Sequence, residues 1–292
     1  MKREEVNIRD PFCMVYEDKY YLYGTRSETC WGEAFGFDCY VSSDLENWEG
    51  PIEIFHRSEG FFATENYWAP ECYERNGSFY FLTTLGGGGR KKGIYLLKSE
   101  KPTGPFSFYA GPLTPKEWTC IDGTLAFENG KVYLIYSHSF EDTPDADICV
   151  QELSADLKEA LTGPRSLFAA KEAPWATPVP FAKAEFGMDG DVYFSDGPCI
   201  FTLPKGGTYM TWSSWGKRGS YAVGLAVSES GSVLGPWKQI DEPLWPDNGG
   251  HGMVFTDLEG QKRFVFHYPN DKSLERPTFK TLVQKEGRLM LL

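Results

Sequence analysis

The chain has 292 residues, 41% hydrophobic and 24% charged, with a formal net charge of −12. Such an acid excess excludes the basic footprint of a nucleic-acid binder. The absence of any 18-residue apolar run predicts no helical membrane span and no membrane partner.

Residues 9–23 (RDPFCMVYEDKYYLY) open the chain with a polar residue beside proline, a short apolar strand, a turn and an aromatic strand, which is the signal of a β-hairpin. The same form recurs at 69–82, 121–136, 195–212 and 250–266. The polar anchors of the five hairpins are read as Asp10, Glu71, Asp122, Asp196 and His251. Each of the first four hairpins is followed by an outer strand and a loop, at 39–51, 94–106, 148–164 and 223–237. Only 155–161 has a faint helical period, and 169–194 reads as a long irregular loop. Residues 278–292 give one more hairpin, expected to complete the fifth unit, with the N-terminal residues closing the ring. Five small antiparallel sheets predict an all-β chain: one five-bladed β-propeller domain over residues 1–292, with the first strand of every blade lining a central channel.

Composition agrees. Aromatic residues reach 16%, beside 31 Gly and 19 Pro, as suits a turn-rich β architecture. Aromatic rings also offer flat platforms for sugars, although most simply pack a sheet core. The seven cysteines show no paired spacing and lie mostly in apolar runs, as buried free thiols do. With an N-terminus, MKREEVNIRDPF, that lacks an apolar leader, they predict a cytoplasmic protein.

Taken singly, an Asp before Pro or Gly is turn chemistry. Three such acids converging on one channel mouth repel one another, a cost that a turn function does not require. Convergent carboxyls in an aromatic-rich setting suit glycoside hydrolysis, where one protonates the leaving oxygen and another acts on the opposite face of the sugar.

Five strings, RDP at 9–11, WAPE at 68–71, IDGTL at 121–125, SDGP at 195–198 and GGHGM at 249–253, resemble in this order glycoside hydrolase family 43. The resemblance covers essentially the whole chain. It implies an inverting five-bladed propeller enzyme that acts on pentosides of oligo- or polysaccharides, of the α-L-arabinofuranosidase, β-xylosidase or arabinanase type. It assigns Asp10 as general base, Asp122 as the acid that orients and tunes the proton donor, and Asp196 as general acid, where the family usually has Glu. It places His251 beside a bound ion, often calcium, with no cofactor required for the chemistry. Phe12, Trp31, Trp68, Glu71 and His138 are candidate substrate contacts, with a packed strand histidine as the plainer reading of His138. Glu185, Asp189 and Asp191 are read as solvated loop acids, and the glycines at 86–89 as a loop rather than a phosphate cradle. The rivals are a β-D-galactofuranosidase, a mannoside phosphorylase, disfavoured for want of a phosphate-binding cluster, and a glycan-binding propeller without turnover.

Overall fold

A computed structural model describes residues 1–204 and 206–292. Five four-stranded antiparallel sheets follow one another along the chain. The first comprises β1 (Ile8–Tyr16), β2 (Lys19–Arg26), β3 (Gly36–Ser42) and β4 (Glu49–His56). The second comprises β5 (Glu65–Arg75), β6 (Ser78–Gly87), β7 (Arg90–Ser99) and β8 (Ser107–Ala110). The third comprises β9 (Cys120–Glu128), β10 (Lys131–His138), β11 (Asp147–Leu153) and β12 (Arg165–Ala169). The fourth comprises β13 (Asp196–Thr202), β14 (Thr208–Gly216), β15 (Ser220–Ser228) and β16 (Trp237–Gln239). The fifth comprises β17 (Gly250–Thr256), β18 (Lys262–Tyr268), β19 (Arg276–Lys285) and β20 (Arg288–Leu291). This is the five-bladed propeller that the repeated hairpins predict.

The core lies between blades rather than inside any one of them. Tyr23 and Phe37 of blade one meet Phe81 of blade two, and Tyr20 meets Phe255 of blade five. Leu82 and Leu96 meet Leu125 and Leu134 at the next seam. Ile135 and Ile148 pack with Met210 and Trp212, and Val223 with Phe264 and Phe266. A two-faced blade buries apolar side chains on both faces, which is why the strands read as near-continuous apolar runs. Each fully buried aromatic contributes about 2 kcal/mol of transfer free energy.

Ring closure departs from expectation. The C-terminal hairpin does complete blade five, but all four strands of that blade come from residues 250–291, and the N-terminus adds none. The seam closes through side chains instead. Trp48 stacks on Phe279 at 6.1 Å, and Asn7 donates to the carbonyls of Lys272 and Glu275. The stretch 155–161 forms turns, not a helix. The long loop carries a 3-10 turn at Ala170–Glu172 and a short helix, α1 (Ala182–Phe186), and packs Val179, Ala182 and Val192 over the ends of blades three and four.

Candidate active site at the propeller axis

Each first strand enters the channel through the same irregularity. Strand pairing slips between Arg9 and Phe12, Trp68 and Glu71, Ile121 and Thr124, Asp196 and Cys199, and Gly250 and Met253. In every blade the first residue inside the slip has a positive φ: Asp10 (51°), Ala69 (44°), Asp122 (58°), Gly197 (51°) and His251 (44°). A bulge of this kind re-aims the strand toward the axis. The equivalence corrects two of the five anchors. The blade-two counterpart of Asp10 is Ala69, not Glu71, which lies two residues deeper. The blade-four counterpart is Gly197, and Asp196 is matched instead with Arg9, Trp68, Ile121 and Gly250 on the outer layer. Sequence spacing carries no sign of a register slip, so this offset was invisible there.

A second ring locks the first. At the end of the second strand, opposite the slip, stand Thr25, Thr84, Ser137, Ser213 and His267. Ala69 N–H donates to Thr25 Oγ1 at 2.8 Å, Asp122 N–H to Thr84 Oγ1 at 2.9 Å, and His251 N–H to Ser213 Oγ at 3.0 Å. Asp10 N–H donates to His267 Nδ1 at 3.2 Å. Blade four breaks the pattern: Gly197 N–H donates to Asp122 Oδ2 at 3.3 Å, and Ser137 pairs with Ser195 Oγ at 2.6 Å. Every blade thus ties the entrance of the next one. In the sequence this ring is signalled by a Thr, Ser or His at the matching point of each second strand.

The three predicted acids do converge. His251 Nδ1 lies 3.5 Å from Asp10 Oδ1, 3.6 Å from Asp122 Oδ2 and 3.9 Å from Asp196 Oδ1. One imidazole nitrogen thus faces all three carboxyls. Asp10 also accepts from Thr25 Oγ1 at 2.7 Å and lies 3.5 Å from Arg9 Nε, while Arg9 pairs with Glu275. Tyr221 donates to both oxygens of Asp196, at 2.6 and 2.7 Å.

These surroundings separate the acids electrostatically. Burial pushes the Asp10 carboxyl up, but His251, Arg9 and the Thr25 hydrogen bond outweigh it and hold it below the usual carboxylate range. Burial raises Asp196 to about 7, opposed by the Tyr221 hydrogen bond and reinforced by the Asp10 charge. Asp122 is also raised to about 7, by burial against the field of His251 and with the charges of Asp196 and Asp10. His267 is pushed down to about 3, chiefly by burial and by Arg9, so its Nδ1 is free to accept from Asp10 N–H. An ionised carboxylate and a protonated carboxylic acid therefore coexist near neutral pH.

The remaining candidates separate into three environments. Trp31 is exposed and meets Trp68 edge-on at 5.3 Å, with Arg9 above Trp31 and Lys92 above Trp68. Trp68 is half-buried, beside the mouth. Phe12 and Glu71 are interior: Phe12 packs on Tyr73 at 5.6 Å, and Glu71 accepts from the Tyr73 hydroxyl, with its carboxyl raised to about 8 by burial. Both line a void of about 10 Å³ that Asp10, Gly197 and His251 also line. His138 is buried, stacked on Trp118 at 4.0 Å with Asp142 3.3 Å from Nε2. It is a packed strand histidine and does not reach the three acids. Asp189 pairs with Lys183, and Glu185, Asp189 and Asp191 are all exposed. Gly87–Gly89 form the tip of the β6–β7 hairpin, followed by a strand rather than the helix a phosphate cradle requires. Clefts of about 560 and 580 Å³ flank this hairpin, lined among others by Phe62, Tyr95, Phe108 and Trp118 on one side and by Glu65, Asn66 and Glu141 on the other.

Buried carboxyls converging on the axis of a five-bladed propeller suit glycoside hydrolysis. The family model for glycosyl hydrolases family 43 matches residues 5–286, and the chain belongs to that family. The structure is similar to that of an endo-arabinase from Bacteroides thetaiotaomicron, with 35% identity, a TM-score of 0.88 and coverage of 99% of this chain and 98% of that one. It is also similar to a thermostable family-43 glycoside hydrolase, at 25% identity and a TM-score of 0.80 over 98% of this chain and 92% of that one. In sequence it resembles an extracellular exo-alpha-(1->5)-L-arabinofuranosidase of Cellvibrio japonicus, 23% identical across 90% of this chain and 74% of the relative. That relative corrects the expectation of a cytoplasmic enzyme. The physical basis for that expectation was weak in any case. All seven cysteines are buried free thiols, and a buried thiol is shielded from the redox conditions of any compartment.

Proposed function

We propose that the chain hydrolyses α-L-arabinofuranosidic linkages in oligo- or polysaccharides with inversion at the anomeric carbon. The observation that carries this reading is the opposed electrostatics of Asp10 and Asp196 around one imidazole nitrogen. The arabinose preference rests on the names of the similar proteins. Asp10 takes a proton from a water on the far side of the sugar as that water attacks the anomeric carbon. Asp196 delivers its proton to the glycosidic oxygen as the bond to that oxygen breaks. Asp122 stays beside Asp196, its own carboxyl oriented by Gly197 N–H, and biases the site toward retaining a proton. Asp10 Oδ1 and Asp196 Oδ1 both lie within 4 Å of His251 Nδ1, hence less than about 8 Å apart; the inverting outcome rests on the family resemblance rather than on this bound. Trp31 and Trp68 supply the aromatic platform at the mouth.

The chemistry runs on carboxyl groups alone. Asp122, Asp196 and His251 cluster closely enough to hold an ion, but two carboxylates and one nitrogen fall short of the six to eight oxygens that calcium takes. A calcium beside His251 would need a largely water-built shell, and no catalytic step depends on it.

The test is proton NMR of the first-formed anomer during cleavage of an aryl α-L-arabinofuranoside, run beside the β-D-xyloside and β-D-galactofuranoside. Inverted arabinose as first product is expected. A retained anomer overturns the two-carboxylate scheme, and turnover confined to the xyloside or galactofuranoside overturns the substrate.

A further inference from the structure

Asp196 is one methylene shorter than the glutamate usual at its position, and it stands outside the bulge that fixes the other two acids. Something else has to aim it. Tyr221, at the start of β15, is buried at 3% exposure. Its ring stacks against Phe194 at 5.8 Å and 19°, and against His267 at 5.6 Å and 18°. The backbone of Gly250 passes so close to the ring that a Cβ there would overlap it. The ring is held on three sides by blades four and five and by the loop between blades three and four, and its hydroxyl meets both Asp196 oxygens.

We propose that Tyr221 is the positioning residue of the general acid, fixing the short Asp196 carboxyl in the orientation from which it protonates the leaving oxygen. The proposal rests on the reading of Asp196 as that acid. A tyrosine hydroxyl has one proton to give. When Asp196 carries its proton on one oxygen, Tyr221 donates to the other, which leaves the acid's O–H directed at the glycosidic oxygen. As the C–O bond breaks, the proton passes to the departing alcohol, the water oxygen bonds to carbon, and the water's proton goes to Asp10. The Tyr221 donation then falls on a full carboxylate, and charge-assisted hydrogen bonds are about twice as strong as neutral ones. The interaction therefore gains strength along the reaction, which is the condition for accelerating it.

The same ring joins acid to base. His267 accepts from Asp10 N–H through Nδ1, lies within 3.2 Å of Asn270 Oδ1 through Nε2, and stacks on Tyr221. The separation between the two catalytic carboxyls is thus set through one aromatic stack rather than by two independent loops.

The experiment compares wild type, Tyr221→Phe and Asp196→Ala on arabinofuranosides whose leaving groups run from dinitrophenol to a simple alkyl alcohol. Tyr221→Phe keeps the stacked ring and removes the hydroxyl. For it, kcat should fall roughly 10- to 100-fold on the alkyl glycoside, within the range one acid–base contact supplies. The change on the dinitrophenyl glycoside should be below about threefold, with KM and the melting temperature nearly unchanged. Equal losses across the series, or none, overturn the positioning role. If Asp196→Ala itself shows no leaving-group dependence, the acid assignment fails; if it does and Tyr221→Phe does not, only the Tyr221 proposal fails. Should Tyr221→Phe be unstable, site-specific difluorotyrosine changes the hydroxyl's acidity at almost constant shape, and an unchanged leaving-group slope in that protein counts against the proposal.

Discussion

Blades one and three carry their acid on the bulge, and blade four carries it one residue ahead. Asp10 and Asp122 sit at positive φ with side chains 8% and 6% exposed, their backbone N–H groups tied to neighbouring blades. The Asp196 side chain is 16% exposed, and Gly197 takes the positive-φ position in its place. The division fits the proposed roles of the three acids. A base that holds one water and an acid that tunes its neighbour gain from a rigid, strained seat. A proton donor must meet the leaving group at the mouth. There it loses the bulge's backbone support and depends on a side chain, Tyr221, instead.

The comparison can be broken most directly at the base. Asp10→Asn should lower kcat by roughly 10³-fold or more for every leaving group alike, measured on the same aryl series, because water activation is needed whichever alcohol departs. A leaving-group-dependent loss at Asp10 would exchange the roles of the two blades. Asp196→Glu tests the mouth. The longer arm displaces the carboxyl from the Tyr221 hydroxyl, so kcat on alkyl glycosides should fall about tenfold, although Glu is the family's usual residue. A gain instead would show that Tyr221 does not set the acid's reach.

The pH profile of kcat/KM should be a bell. Asp196 has to be protonated, so activity declines as pH rises through about 7. Asp10 has to be ionised, and because its carboxyl is held below the usual range, the acidic limb falls below the ordinary carboxylate pKa of about 4. Asp122 titrates close to Asp196, so the upper limb belongs to the pair. Glu71 makes a smaller and purely thermodynamic point. Its folded-state carboxyl, raised to about 8, keeps its proton while the unfolded chain has released it, so it subtracts stability as pH climbs from the ordinary glutamate range through 8. Glu71→Gln should flatten the fall in Tm between pH 5 and 9, read by calorimetry; a steeper fall would mean that the ionised form is the one the fold prefers. Ala69→Gly should have the smallest effect. It relieves a left-handed alanine at a bulge whose residue carries no functional side chain and should stabilise by about 1 kcal/mol in a denaturant titration.

Much of this was legible before the fold. RDPF, IDGTL and GHGM each put the predicted residue on the bulge itself, and the structure brings Asp10, Asp122 and His251 together there. WAPE and SDGP look alike in sequence, yet their acids fall two residues beyond and one residue before the equivalent position. Only strand pairing reveals that offset. Phe12 and His138 are candidate sugar contacts in the sequence, with packing the plainer reading of His138, and the structure buries both, His138 stacked on Trp118 and Phe12 packed on Tyr73.

The amino-acid sequence by itself determined five repeated hairpins, hence the propeller and the convergence of three acids, because alternation and turn chemistry act over a few residues and need no partner. What only the tertiary structure decided was the role each acid is fitted for. The register slip, the ring of N–H ties, the burial that raises Asp196 and the Tyr221 hydroxyl that aims it all depend on groups brought together from distant blades. Electrostatics and hydrogen bonding act through space, and those distances exist only once the ring has closed.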